Sequence, residues 1–307
     1  MLAAVCLRYG PPDVLEVRQM EKPEIGKDEV CVRVAAAAVA ASDCIVRGFR
    51  VSARYRIPMG LALGFGRPRN PVLGMVFSGV VEKTGKECRL FRLGDRVAGF
   101  DRFGFGAYAE YKRMREDGLM VKLPDGVAFA EAAAVPYGGL IAMSFLRSAG
   151  ALDGKKVLIY GASGAVGTAA VQLARQFGAD VTGVCSGSNA ALVASLGAGR
   201  VIDYTAQDFT TEEIRYDLIF NAVGKDKARL NCRAALTKNG QHITVDDGAP
   251  KLRRDDLNFL MRLLEKGEWN PVIDRSYALE QIAQAHAYVE TGHKRGNVIV
   301  RIDEMQE

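Results

Sequence analysis

Residues 155–167 hold the pattern in this chain with the clearest chemical meaning. A short apolar strand, Val157 to Tyr160, runs into a turn punctuated by Gly161, Gly164 and Gly167, and Thr168 to Phe177 follows with helical apolar spacing. Glycines let a backbone turn sharply and approach a pyrophosphate, and the amino end of a helix offers free N–H groups and the positive end of its dipole. Packing of a strand on a helix produces similar joints, and Ala162 replaces the first glycine of the G-x-G-x-x-G pattern. The context decides, because Gly178 to Val184 reads as the next strand. Ala162, Ser163, Gly164, Ala165, Val166 and Gly167 are therefore assigned to a dinucleotide.

The end of that next strand bears on which dinucleotide. Sites selective for NADH place an acid there, about 20 residues beyond the glycines, to take the ribose hydroxyls. Val181 to Cys185 leads instead into Ser186-Gly187-Ser188-Asn189, which has hydroxyls and an amide and no carboxylate. These groups can hydrogen-bond a 2′-phosphate that a carboxylate would repel, so NADPH is expected over NADH. Ser188 also suits a helix cap.

The elements that position these groups fall into two patterns. Up to about Leu123, short β-branched runs alternate with Gly and Pro breaks: Glu29 to Val34, Val76 to Glu82, Arg96 to Phe100 and Ala107 to Arg113. Arg47 to Pro71, rich in Gly, Pro and Arg, reads as a long loop of the kind that forms lids. From Ala128 helices and strands alternate. A helix broken near Pro136 spans Phe129 to Ala149. Strands follow at Val157–Tyr160, Val181–Cys185, Arg200–Ile202, Leu218–Asn221 and His242–Val245. Helices are expected at Thr168–Phe177, Asn189–Leu196, Asp226–Leu236 and Asp255–Lys266. That is a doubly wound parallel sheet, with ligands at the carboxyl ends of its strands. After Trp269 come a helix, Leu279 to Thr291, and a strand, Asn297 to Ile302.

Composition narrows the class. The 307 residues suffice for two cores, and 49% of them are apolar. The net charge of +5 comes from scattered residues with no basic stripe interleaved with aromatics, so nucleic acid is not an expected partner. No run reaches the ~18 apolar residues of a membrane span, so no membrane partner is expected. The start, Leu2 to Leu7, reads as a strand and not as a leader. Six scattered cysteines without a C-x-x-C pair suit a reducing, cytoplasmic setting.

The chain resembles the zinc-independent branch of the medium-chain dehydrogenase/reductases, the quinone oxidoreductases and zeta-crystallin-like reductases. The likeness runs from Tyr9-Gly10-Pro11-Pro12 through Gly94-Asp95-Arg96-Val97, Gly106 to Tyr111 and Leu123-Pro124-Asp125-Gly126. It continues through Ala132 to Pro136, the Gly161–Gly167 turn, Val201 to Tyr204 and Asn221 to Gly224, and closes at Pro271 to Asp274. The resemblance implies a GroES-like β-barrel domain from residues 1–125 and 271–307 and a Rossmann domain from 126–270, with the site between them. It also adds Tyr204, Asn221, Val223 and Thr244 to the cofactor contacts. A homodimer is implied as well, although Asp247 to Lys251 leads so quickly into the next helix that the strand on which relatives dimerise is missing.

Ala40, Met75 and Val76 occupy positions where zinc-bearing relatives keep ligands, and none of the three can bind zinc. No metal is expected. Without a Lewis acid, hydride transfer favours acceptors that already stabilise negative charge: quinones or α,β-unsaturated carbonyls. Ser42, Tyr55 and Tyr137 are the candidate hydrogen-bond donors to the acceptor. Ser42 serves equally as a turn residue, Tyr55 as surface packing and Tyr137 as core. Ala40 and Ile141 replace the Asn and Thr of many relatives and make the pocket more apolar. Two alternatives stay open: an enoyl-thioester reductase using Arg47 to Arg69 as a basic groove, and a nucleotide-binding protein without turnover.

Overall fold

A computed structural model describes residues 1–224 and 231–303. The strands and helices alternate unevenly along the chain. The first part holds β1 (Leu2–Cys6), β2 (Leu15–Gln19), β3 (Glu29–Val39), α1 (Ala41–Gly48), α2 (Arg56–Leu63), β4 (Val76–Thr84), β5 (Arg96–Phe100), β6 (Tyr111–Arg115) and β7 (Met120–Lys122). The second holds α3 (Phe129–Ala134), α4 (Pro136–Ser148), β8 (Lys156–Tyr160), α5 (Ala165–Gln176), β9 (Asp180–Cys185), α6 (Ala190–Ser195), β10 (Arg200–Asp203), β11 (Tyr216–Asn221), β12 (Leu236–Thr244) and α7 (Arg254–Glu265). It ends with β13 (Ile273–Ala278), α8 (Ile282–Glu290) and β14 (Asn297–Arg301).

The first pattern builds a seven-stranded sheet around β3. Along its length β3 pairs with β4, while its two halves take different second neighbours, β6 at residues 29–33 and β14 at residues 36–39. That switch brings a strand from the far end of the chain into the sheet of the first part. The second pattern builds a parallel sheet in the order β10-β9-β8-β11-β12, the five-strand form of the doubly wound arrangement. Among the described residues no strand follows β12 in it, and Val245 to Arg253 leads directly into α7.

Two local expectations are revised. Arg47 to Pro71 is not a plain loop, because it holds α2; Pro58 sits in the first turn, where a missing N–H costs nothing. The segment at Ala40 to Asp43 starts α1, since the Asp43 carboxylate reaches back to accept from Ala40 N at 2.8 Å. The helix expected over Asp226–Leu236 falls partly outside the described residues; Cys232–Ala235 is a short 3-10 turn, and β12 already begins at Leu236. Its first half is polar and carries no β signal, and backbone pairing to β11 recruits it.

Residues Phe129–Ser148 have the length and hydropathy of a membrane span, but 72% of that apolar window is buried inside the protein. They form a core helix pair. Its close approach to α5 depends on glycine: a Cβ on Gly138 would lie 2.2 Å from the Ala165 carbonyl oxygen. Gly138→Ala should therefore cost about 1–3 kcal/mol by forcing α4 away from α5. Denaturant unfolding measures it, and an unchanged midpoint would mean the two helices are free to separate.

Candidate active site

The parallel strands end at a cleft, a cavity of about 890 Å³ running from the glycine turn to α1 and Phe100. Gly161 takes φ +78°, a left-handed conformation that turns the chain out of β8. Gly167 then packs on that turn, since a Cβ there would lie 2.0 Å from the Gly161 carbonyl oxygen. Gly164 differs from both. It has an ordinary φ of −79°, and a Cβ on it would touch only Gly161 O at 3.7 Å. Its open side faces the cleft, as do Ser163, Ala165 and Val166 at the start of α5, whose first amides have no acceptor within the helix. A cradle of this shape fits a pyrophosphate.

A hydrogen-bonded cluster lies beside it. Asn189 Nδ2 donates to Ser163 Oγ at 3.2 Å and to Ser186 Oγ at 3.1 Å, and Ser186 and Ser188 hydroxyls lie 3.2 Å apart. All four residues line the cleft, with the half-exposed Tyr204 ring at the far end near Tyr160. Asp203 is the nearby carboxylate, but Thr205 N and Oγ1 hold it at 2.9 and 2.7 Å and lower its pKa. It does not line the cleft.

The other expected cofactor residues divide. Val223 lines the cleft. Ala162, Gly167, Asn221 and Thr244 do not, being buried beneath it. Asn221 Oδ1 accepts from Val223 N and Gly224 N and so shapes the turn after β11. Thr244 N donates to Asp247 Oδ2 and shapes the turn after β12.

At the other end the walls are apolar: Ile45, Met75, Phe100, Ile141 and Leu252. Ser42 Oγ donates to the Tyr137 hydroxyl across 3.1 Å, and the Tyr137 ring leans on Phe100 with centroids 6.0 Å apart. Burial raises the Tyr137 pKa from its ordinary value. The phenol thus keeps its proton at neutral pH, and because Ser42 already donates to its oxygen, that proton is free to point at a ligand. Tyr55, in a 3-10 turn before α2, is half-exposed and lies outside this cleft.

Sequence reasoning missed one wall. His293, Lys294 and Arg295, just before β14, line the cleft with Arg102. Gly296 N donates to Ser163 O at 2.8 Å, pinning this basic run against the glycine turn. A basic tripeptide flanked by Gly292 and Gly296 was the available signal, but nothing local ties it to a turn so far away in sequence.

Behind the site, α1 and α8 enclose an ionisable cluster. Cys44 Sγ lies 3.5 Å from His286 Nδ1, and Arg47 pairs with Glu290. Burial pushes the Cys44 thiol up to about 12 and the His286 imidazole down to about 3, so both are neutral and neither is a nucleophile or base here. Among the described residues no three His, Cys, Asp or Glu side chains gather as a metal site.

The same relationships appear in known proteins. The alcohol dehydrogenase GroES-like domain pattern matches residues 26–125, and zinc-binding dehydrogenase patterns match 165–259 and 249–300. An NADPH-dependent alkenal/one oxidoreductase of Arabidopsis thaliana is 32% identical over 98% of this chain and 79% of its own. A quinone oxidoreductase of Pseudomonas aeruginosa is 31% identical over 95% and 97%. The structure of a Coxiella burnetii quinone oxidoreductase superposes with a TM-score of 0.87 at 26% identity, covering 99% of each chain. The chain belongs to the medium-chain dehydrogenase/reductase family, in its quinone oxidoreductase branch. It is an oxidoreductase of the quinone reductase type that uses a nicotinamide cofactor.

Two substitutions probe this geometry. Gly164→Val leaves room for its own side chain and should fold normally, yet it fills the cradle. Thermal unfolding should show wild type gaining about 2.7 kcal/mol at NADPH one hundred times its Kd, and the variant gaining nothing. A variant that still shifts would mean the glycine serves the turn alone.

Asp43 is the second. Burial raises its pKa to about 7, against the lowering by its bond from Ala40 N. Its folded pKa lies above the unfolded one, so this acid contributes full stability below about pH 4, which is lost as pH rises through 7. Asp43→Asn keeps an acceptor for Ala40 N and should stabilise the protein by about 1–3 kcal/mol at pH 8, the gain shrinking toward pH 4. Equal gains at both pH values would show that the carboxyl is not titrating.

Proposed function

We propose that the protein is an NADPH-preferring reductase that works without a metal ion, delivering hydride to a quinone or an α,β-unsaturated carbonyl. The observation that carries this reading is the single cleft that joins a pyrophosphate cradle to an apolar end bearing the Ser42–Tyr137 pair. NADPH, when bound, supplies the hydride. The chain's own residues hold the acceptor. Met75, Phe100 and Ile141 exclude water around it, and Tyr137 Oη, with its proton free, hydrogen-bonds the oxygen on which charge develops. Proton delivery from the phenol or from water completes the reduction.

The preference for NADPH rests on charge. Arg102, Lys294 and Arg295 line the cleft against one carboxylate, Asp246, and the Ser186–Asn189 cluster offers neutral donors at the ribose end. Absence of a metal rests on residue chemistry: Ala40 and Met75 stand where a ligand set would need thiolate, imidazole or carboxylate. The enoyl-thioester alternative is less favoured, because Arg47 and Arg50 pair with Glu290 and the groove lined by Arg67 and Arg69 is separate from the cleft.

The test follows cofactor oxidation with a quinone, an enone and an enoyl thioester, in enzyme purified without added zinc. NADPH should outcompete NADH at least about tenfold in Kd, turnover should survive chelators, and Tyr137→Phe should lower kcat/KM for the enone by about tenfold or more. Equal affinity for both cofactors, or activity restored only by zinc, would overturn the proposal.

A further inference from the structure

The helix α2 is apolar on two opposite faces. Leu63 and Met59 turn inward, whereas Ile57 and Leu61 are 69% and 59% exposed. Phe65, just beyond the helix, is 62% exposed, and its ring lies back over Gly60, where a Cβ would come within 2.2 Å of it. Gly60 thus seats the ring beside Ile57 and Leu61 as one ridge. A helix apolar all round belongs between two layers, and this chain supplies one.

The charge around the ridge is one-sided. Residues 44–81 contain six arginines and no Asp or Glu. Arg47 and Arg50 pair with Glu290, while Arg56, Arg67 and Arg69 are exposed and form no ion pair with a described residue. Beside Phe65 lies a groove of about 480 Å³ whose lining includes Leu7, Gly64, Arg67 and Arg69. Phe65 of the ridge therefore shares one depression with Arg67 and Arg69.

We propose that this ridge and groove dock the protein on an anionic phospholipid bilayer. The ridge enters the interfacial region and the arginines take lipid phosphates, the pattern of an in-plane amphipathic helix. A second copy seated by a two-fold axis would bring the arginine rims together, which repels it. Free phosphate would satisfy the groove and leave the ridge in water. Docking of this kind spans nothing, so it needs no long apolar run, the feature on which the expectation of no membrane partner was based. With one short helix it is weak, reversible and salt-sensitive.

Co-sedimentation of the full chain with vesicles tests it, using phosphatidylcholine alone and phosphatidylcholine with about a third phosphatidylserine. Two double variants accompany wild type, Ile57→Ser with Leu61→Glu and Arg67→Ser with Arg69→Ser. None of these residues lines the cleft, so a cooperative thermal unfolding transition should be kept and certify the fold. Wild type should pellet with the anionic vesicles only and be released by high salt, and each variant should bind about tenfold less. No binding, equal binding to neutral vesicles or undiminished binding by both variants would overturn the proposal. So would a wild-type dimer, seen by sedimentation velocity, that the Ile57/Leu61 variant breaks. These readouts do not depend on turnover, so failure here leaves the proposed reaction standing and the reverse.

Discussion

Around the first turn of α5, three stretches of backbone meet with no side chain between them. Gly161 reverses the chain out of β8, Gly167 sits on the Gly161 carbonyl, and Gly138 of α4 sits on the Ala165 carbonyl. Close packing of this kind tolerates no methyl group, because interiors have no spare volume to receive one. It sets the direction in which the amides of α5 face, and through α4 it sets where Tyr137, the neighbour of Gly138, points. One steric constraint thus aligns the glycine-turn end of the cleft with its apolar end.

Electrostatics is divided along the same line. Toward the glycine turn the wall is polar and cationic, suited to an anion that remains charged. Toward α1 burial holds Cys44, His286 and Tyr137 neutral, and the buried Arg47 is balanced by its pair with Glu290. In surroundings this dry and this apolar, one well-placed hydroxyl counts for more than it would on the surface.

What the sequence made legible is mostly local. The strand–glycine–helix order, the hydroxyl loop after β9 and the alternation of strands and helices all follow from a few neighbouring residues, and each appears in the fold. What it hid is tertiary. Asn221 and Thr244 look like ligand contacts at strand ends, but both are consumed in shaping turns. Tyr55 sits on a segment whose helix was masked by Pro58 and Gly60, and that helix carries it away from the cleft. The basic wall at 293–295 is invisible from sequence because only the pairing of β14 with β3 brings it near Ser163.

The bond from Gly296 to Ser163 also fixes an order of events. As a ribosome delivers the chain, residues 156–244 can assemble their parallel strands while β14 is still unmade. The second wall of the cleft arrives only when Gly296 has emerged and β14 has reached back to β3. Until then a nascent molecule owns a glycine turn that is open on one side, and its grip on a dinucleotide is incomplete. Competence to close around a ligand is in this way reserved for molecules in which β14 has been made and paired with β3.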